Sequence, residues 1–444
     1  MNRIRQMWGT VRDSLWFVPT LSVLLAVLLA ILLIEVDTIL GNELWLDWPR
    51  LFGAGAEGSR GMLSAIATSM ITVAGVAFSI TIVALAQTST QYSSRILRKF
   101  MGDRTNQLVL GIFVAIYAYC LIVLRTVRSG DEGSFVPSLA VLMAIVLAFV
   151  GIGVLIYFIH HIARSLQASQ ILAAVGEETV QAVVNLFPEP LGASDEDARA
   201  VPALAADKTH VWQPVPARHT GYIQWVDMHV LLTAVDEDGV VVRMDRGVGE
   251  FAIEGMPLLH LSRPLPDDDP RIGKLQGAYG MGRQRTIDQD AAFGIRQIVD
   301  VALKALSPGI NDSTTAIMCI DRLTSIVVRL ATRNVESPYR YAQGELRLIA
   351  RGPTFAGMVA ESFDEVRRNA GGNVTVLAAI AHALETVVDA VEDPARQMVI
   401  LEQVEALAEI VQRTVEAPTE RAFLLKLCVE ASSVEGQAES MAVM

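Results

Sequence analysis

Four stretches in the first third of the chain carry no formal charge, and each is long enough for a helix to cross about 30 Å of hydrocarbon, which takes roughly 20 residues. They are the 21 residues between Asp13 and Glu35, the 34 from Gly61 to Ser94, the 20 between Arg104 and Arg125, and the 31 from Gly133 to Ala163. Only His160-His161 interrupts the last. The pattern predicts a four-helix transmembrane domain over 1–165, with spans at about 15–35, 61–88, 105–125 and 136–160. Residues 166–217 read as an exit helix, with Ile171, Leu172, Val175, Val180, Val183 and Val184 at helical spacing, followed by an acidic, Pro-rich linker containing the run from Ser194 to Ala200.

From 218 to 265 the period shortens. Gly221-Tyr222-Ile223, Met228 to Val235, Val240-Val241-Val242 and Leu258 to Leu261 are β-rich runs, and Asp238-Gly239 and Glu254-Gly255 mark turns. From 266 to 444 the pattern is mainly helical. Pro308-Gly309 ends one helix, and Asn311 or Asp312 caps the next, which runs to about Arg333 with Ile317, Ile320, Leu323, Val327 and Leu330 on its core stripe. A short strand (LRLIARG) is followed by helices at about 355–369, 374–392, 395–415 and 418–432. The expected fold class is thus an α-helical membrane protein with four transmembrane helices, followed by a cytosolic α+β region made of a small β-barrel or sandwich and a helical bundle.

The second span is unlike the others. Its 34 residues make roughly 51 Å of helix, longer than the hydrocarbon core, so one end projects into water. At 100° per residue Gly61, Ser64, Thr68, Thr72, Gly75, Ser79, Ala86 and Thr90 share an 80° arc, with Ile82 its only bulky member, while Met62, Ile66, Met70, Val73 and Ile80 lie opposite. Two readings fit the small, hydroxylated side. It is a seam where a second helix packs closely, or it lines a water-filled path at the centre of an oligomer.

Charge orients the chain. Residues 1–160 hold 11 Lys/Arg against 9 Asp/Glu; the totals of 36 and 48 leave 25 and 39 beyond, a net of −14. Arg3, Arg5 and Arg12 precede the first span, and Arg95, Arg98, Lys99 and Arg104 follow the second, which assigns these segments to the cytoplasm and, with an even number of spans, the C-terminal part too. Trp8, Trp16, Trp45 and Trp48 suit interfacial belts. The first span runs directly into Glu35 and Asp37 without a small-residue cleavage site, so it is expected to be retained. The expected location is the bacterial inner (cytoplasmic) membrane. Such an acidic remainder disfavours nucleic acid as a partner. No charged residue lies near the middle of a span, which disfavours a coupled carrier.

The pattern GEFAIEGMPLLHL (Gly249–Leu261) resembles the turn-strand unit of biotinyl/lipoyl-like modules. Lys208 and Lys274 both lie outside the hairpins, so no attachment lysine stands in the module and no cofactor is expected.

Three strings, residues 75–104 (GVAFSITIVALAQTSTQYSSRILRKFMGDR), 158–169 (FIHHIARSLQAS) and 285–323 (RTIDQDAAFGIRQIVDVALKALSPGINDSTTAIMCIDRL), resemble the bacterial predicted membrane proteins grouped as domain of unknown function 2254. The resemblance extends from the first span to about residue 430. It implies a topology and a fold and brings no catalytic residues with it. The chain departs from it at Ser313, where proline is expected.

The densest polar signal is Arg283, Arg285, Asp288 and Asp290, followed by Asn311 and Asp312. These groups suit either a hard cation or other ligand held through oxygens or an ion-pair and capping network. The paired histidines His160-His161 suit the headgroup region or a pH-sensitive or metal site. Cys120, Cys319 and Cys428 lie far apart, which excludes a disulfide framework, and no nucleophile elbow, phosphate loop or zinc-helix motif is present, so an enzyme is not expected. The function expected is a homo-oligomeric, channel-like protein of ion transport with a cytosolic gating or filtering domain, Ser64, Thr68, Thr72, Gly75 and Ser79 lining the pore. Its partners would be the lipid bilayer, further copies of the chain and small inorganic ions. The alternative is a membrane-anchored scaffold or regulator with a partner-binding domain.

Overall fold

The apolar stretches of the first third are helices: α1 (Phe17–Leu40), α2 (Ala56–Gln91), α3 (Arg104–Thr126) and α4 (Ser138–Ser165). All four are long and apolar enough to cross a membrane. The structure is a computed structural model that describes residues 16–40, 55–91, 104–128, 135–165, 167–187, 210–234, 239–266, 268–333, 338–342 and 345–432. The arginines of the N-terminus and second loop other than Arg104, Lys99, Trp8, Trp45, Trp48, the side chain of Thr90, the linker at 188–209, Asp238 and Asp267 lie outside the described residues. The chain divides into two units, residues 1–170 and 171–444.

In the first unit α3 is the central helix, packed against α1, α2 and α4. Its side chains Phe113, Ile116, Tyr119, Cys120 and Val123 are fully enclosed. Two glycines make room for neighbours: Gly111 of α3 for the Pro19 backbone and Ser22 side chain of α1, and Gly151 of α4 for the side chains of Met70 and Ile116. Lipid is as apolar as this core, so dispersion contacts and internal hydrogen bonds hold the unit together. Tyr119 donates to the Ala140 carbonyl at 2.8 Å, and Arg60 to the Val127 carbonyl at 2.7 Å. Asp37 accepts from the N–H groups of Leu139 and Ala140 at 3.1 Å, capping α4 where four donors lack intrahelical partners.

The second unit begins within α5 (Ala168–Leu186), whose later residues pack against the rest of that unit: Thr179 fills the space above Gly294, and Arg322 lies beside Gly176. The β residues form two open sheets in place of a closed barrel. The first is β1 (Gln213–Pro216), β5 (Pro257–Leu261), β3 (Val242–Met244), β8 (Glu345–Ile349) and β7 (Tyr339–Ala342) in that spatial order, antiparallel except where β3 meets β8. The second is β4 (Phe251–Ala252), β2 (Gly221–Val226) and β6 (Tyr279–Gly282). The two share one apolar core, including Ile223, Leu231, Leu259, Leu261 and Leu348.

The sheet region therefore starts earlier than residue 218 and recruits strands from beyond 265. The LRLIARG strand is β8, and it extends the first sheet by pairing parallel with β3. The run from Met228 is not a strand: α6 (Met228–Thr233) forms because the Asp227 carboxylate caps it, accepting from Val230 N–H at 3.1 Å. Gly239 and Gly255 take φ of +62° and +82°, the left-handed conformation their turns require.

The remaining helices are α7 (Pro270–Gly277), α8 (Ala291–Ala305), α9 (Ser313–Ala331), α10 (Phe355–Asn369), α11 (Val374–Ala390), α12 (Pro394–Thr414) and α13 (Pro418–Ser432). Asp269, Asp290, Asp312, Thr354, Asn373 and Asp393 cap the first six in turn, each side chain accepting a backbone N–H and contributing about 1 kcal/mol. Ile320, Leu323, Val327 and Leu330 lie in the core as their spacing demands, whereas Ile317 is only half-buried.

Candidate functional site

The helix α2 is 36 residues long, about 54 Å at 1.5 Å per residue. It contains no proline, and its alanines and straight-chain residues hold the helix through two interior glycines, Gly61 and Gly75. Its packed side is Ser59, Leu63, Ala67, Met70, Ala74, Ala77 and Ala84, all buried. The steps of three and four along that row keep it facing α3 and α4, and the alanines let those helices come close. Met62, Ile66 and Val73 flank this seam half-buried, while Ile80 is exposed.

The other side is bare. Gly61, Ser64, Thr68, Thr72, Gly75 and Ser79 are all exposed, and a Cβ built on Gly61 or Gly75 would meet nothing within 4 Å. Neither glycine is needed for packing within the chain. Thr72 Oγ1 donates to the Thr68 carbonyl at 2.7 Å, and the half-buried Thr81 to that of Ala77 at 2.9 Å, so these hydroxyl protons are satisfied by the helix itself. The oxygens keep lone pairs facing outward. The row can therefore accept hydrogen bonds from water or a neighbour, or share in coordinating a cation. Ile71, Val76, Phe78, Ile82 and Val83 rim it.

The polar cluster of the second unit is differently arranged from its sequence spacing. Arg285 and Asp290 pair bidentately at 2.8 and 3.0 Å, Asp290 caps α8 through Phe293 N–H, and the Arg285 guanidinium lies 4.9 Å from the Phe293 ring centre. Gly249, at φ +85°, lets its loop pass directly over this pair. Arg283 and Asp288 point outward, exposed. Asp312 caps α9 at the far end, accepting from Thr315 N–H at 3.0 Å and Thr315 Oγ1 at 2.6 Å, which holds its carboxyl below the ordinary carboxylate range. Asn311 beside it is exposed, with φ of 49°. The two halves of the cluster are separated by the 15 residues of α8, about 22 Å of helix, and are not brought together. Among the described residues no three His, Cys, Asp or Glu side chains are grouped to hold a metal.

Tertiary contact creates a second cluster that no local motif foretold. Asp245 lies 2.9 Å from His260 Nδ1, off the line of a well-aligned hydrogen bond, and 3.8 Å from Arg243, which stacks on Trp212. Glu250 bridges Arg246 and Arg351. The Tyr279 hydroxyl is buried nearby, and burial together with the charges of Asp245 and Glu250 pushes its pKa up. The only sequence signal was His260 within an apolar strand. Asp37 was likewise legible only as the end of a span, because the helix it caps begins about 100 residues later. The fourth-span histidines are divided: His160 is exposed, while His161 stacks on Tyr157 and lies 3.4 Å from Ser165 Oγ. Cys319 is enclosed in the α9 stripe, and burial raises its thiol pKa, so it is not poised as a nucleophile.

The sequence profile of the family described as Predicted membrane protein (DUF2254) matches residues 12–386. Uncharacterized proteins of Mycobacterium tuberculosis (strain H37Rv) and Mycobacterium bovis are each 31% identical over 445 residues, covering 98% of this chain and 83% of their own length. No solved structure matches the chain.

Proposed function

The chain belongs to the predicted membrane protein family DUF2254, and on that premise we propose that it is a homo-oligomeric conduit for small inorganic ions in the inner (cytoplasmic) membrane. Copies of α2 turn their hydroxylated faces toward a shared axis, and the second unit, on the cytosolic side, forms a gating or filtering collar. One observation carries this reading: the row from Ser64 to Ser79 is bare in the protomer although it is the least lipid-like side of the helix. Hydrocarbon offers its oxygens no hydrogen bonds, and glycine offers lipid little to pack against. Water or the same row of another copy satisfies both conditions. The cytosolic assignment rests on the arginine-rich N-terminus and second loop. An acidic second part, net −14 beyond residue 160, would concentrate cations at the mouth. No catalytic role is assigned.

Reconstitution of the purified protein in planar bilayers tests the proposal. Conductance is expected, and Thr72→Leu or Ser79→Leu is expected to reduce it by narrowing and dewetting the path. No conductance across ion types, voltages and membrane tension would sink it. The scaffold reading draws on a different observation, the exposed Phe251, Ile253 and Met256 around the edge strand β4. It predicts that the full chain captures one defined partner protein, that Phe251→Ser abolishes capture, and that bilayers remain silent.

A further inference from the structure

The membrane unit holds another polar feature, on a different helix. Asn106 and Gln107, in the first turn of α3, are 6% and 0% exposed, and none of their four amide atoms has a hydrogen-bond partner among the described residues. Side chains on a helix lean toward its N-terminus, so both amides aim at the end of α3 where the first backbone N–H groups also lack intrahelical partners. One turn further along, α1 closes against α3: a Cβ on Gly111 would lie 2.9 Å from Ser22 Oγ and 3.1 Å from Pro19 Cα. Beyond that crossing the core is apolar from Phe113 to Val123, apart from the bonded Tyr119 hydroxyl. The two carboxamides thus stand at a boundary, with a dry core ahead of them and the interfacial end of the bundle behind.

The chemistry of the orphaned atoms selects the occupant. They are two amide nitrogens, which donate, and two carbonyl oxygens, which accept. A cation would satisfy only the oxygens. A chloride ion or a lipid phosphate would satisfy only the nitrogens. A molecule that donates and accepts at once satisfies all four, and a buried water is held by two to four such partners. We infer that the first turn of α3 is a water-binding site, in which the Asn106 and Gln107 carboxamides hold ordered water inside each protomer. The bundle is therefore wet at this end and dry in its middle. This inference is independent of the pore reading, because the site lies within one protomer and on a different helix.

The test is a structure of the full-length protein in lipid nanodiscs, at a resolution that shows ordered solvent. Density within hydrogen-bonding distance of both amides, with the size and partners of water, is expected. Amides bonded directly to protein groups, or to an ion or a phosphate, would overturn the inference, and so would an empty site. A second measurement uses thermal unfolding of Asn106→Leu, Gln107→Leu and the double variant, with wild-type elution from gel filtration as the check on folding. Each single change is expected to lower the midpoint, because water at the site loses a partner, and the double change to lower it further. Midpoints unchanged or raised in both single variants would overturn the site.

Discussion

The two units satisfy their polar groups by opposite means. In the membrane unit the bonds seen are mostly between neutral groups, Tyr119 to the Ala140 carbonyl and Thr72 to that of Thr68, with Asp37 capping one helix end. In the second unit arginines dominate. Arg296 of α8 reaches Asp300 at 2.8 Å and, on α10, Glu365 at 2.7 Å, while Arg396 donates to the carbonyls of Ala331 and Arg333 that end α9. The difference follows from the solvent. Desolvating a guanidinium in hydrocarbon costs far more than in a water-bordered protein, where a bidentate pair and partial exposure offset it. The unit built on ion pairs should respond to pH and salt, and the unit built on apolar packing and neutral bonds should respond to volume.

The largest effect is expected from Phe113→Ala, which opens a cavity at the centre of α3 and should destabilise the membrane unit by about 3–5 kcal/mol, measured by thermal unfolding in detergent. A loss below about 1 kcal/mol would mean that lipid or repacking fills the site. Next comes Arg396→Ala, which strands carbonyls at the end of α9 and should destabilise the second unit by about 2 kcal/mol; restoration by Lys but not by Met would separate bonding from packing. Removing the cap with Asp37→Ala should lower stability by about 1 kcal/mol and increase amide exchange in the first turn of α4.

Acid should act on the second unit in particular. The Arg296 guanidinium holds the Glu365 carboxyl below its ordinary value, and the Thr315 bonds do the same for Asp312. A depressed carboxyl contributes stability above its unfolded pKa, and that contribution is lost as pH falls through the folded value. The melting midpoint should therefore hold from neutral pH down to the ordinary carboxylate range and drop as the pH falls through that range and below it, and Glu365→Gln, already lacking the pair, should drop less. An unchanged slope would show the pair to be solvent-screened, as its partly exposed glutamate allows. The smallest effect expected on the chain itself is that of Thr72→Leu. It should leave stability within about 0.5 kcal/mol, since Thr72 is exposed, while a change in conductance or assembly would point to contacts between copies of the chain.

Several elements were legible in the chain because their causes are local. The span of α3 follows from its uncharged run, and the start of α9 from the Pro308-Gly309 break and the Asp312 cap. The helix α10 follows from the period of Phe355, Val359, Phe363 and Val366. The segment at Met228 was misread because its apolar run fits a strand, and only the Asp227 cap tips it into helix. In the polar cluster, nearness in sequence between Asp290 and Asp312 is undone by a rigid helix between them, so each caps its own helix. His260 and Asp245 could not be paired in advance, since the register of β3 against β5 brings them together.

The sequence by itself determined what depends on short-range physics: which segments are apolar enough for a bilayer, where helices begin, and that α2 has one hydroxylated side. Tertiary packing decided which side of α2 is used within the chain. Leu63, Met70 and their alanines fill the groove beside α3 and α4, leaving Ser64, Thr68, Thr72, Gly75 and Ser79 uncovered. It also decided that the sheets stay open and that the Asn106 and Gln107 amides are enclosed without hydrogen-bond partners among the described residues. These outcomes depend on the shapes and donors of residues far along the chain, and no local pattern carries that information.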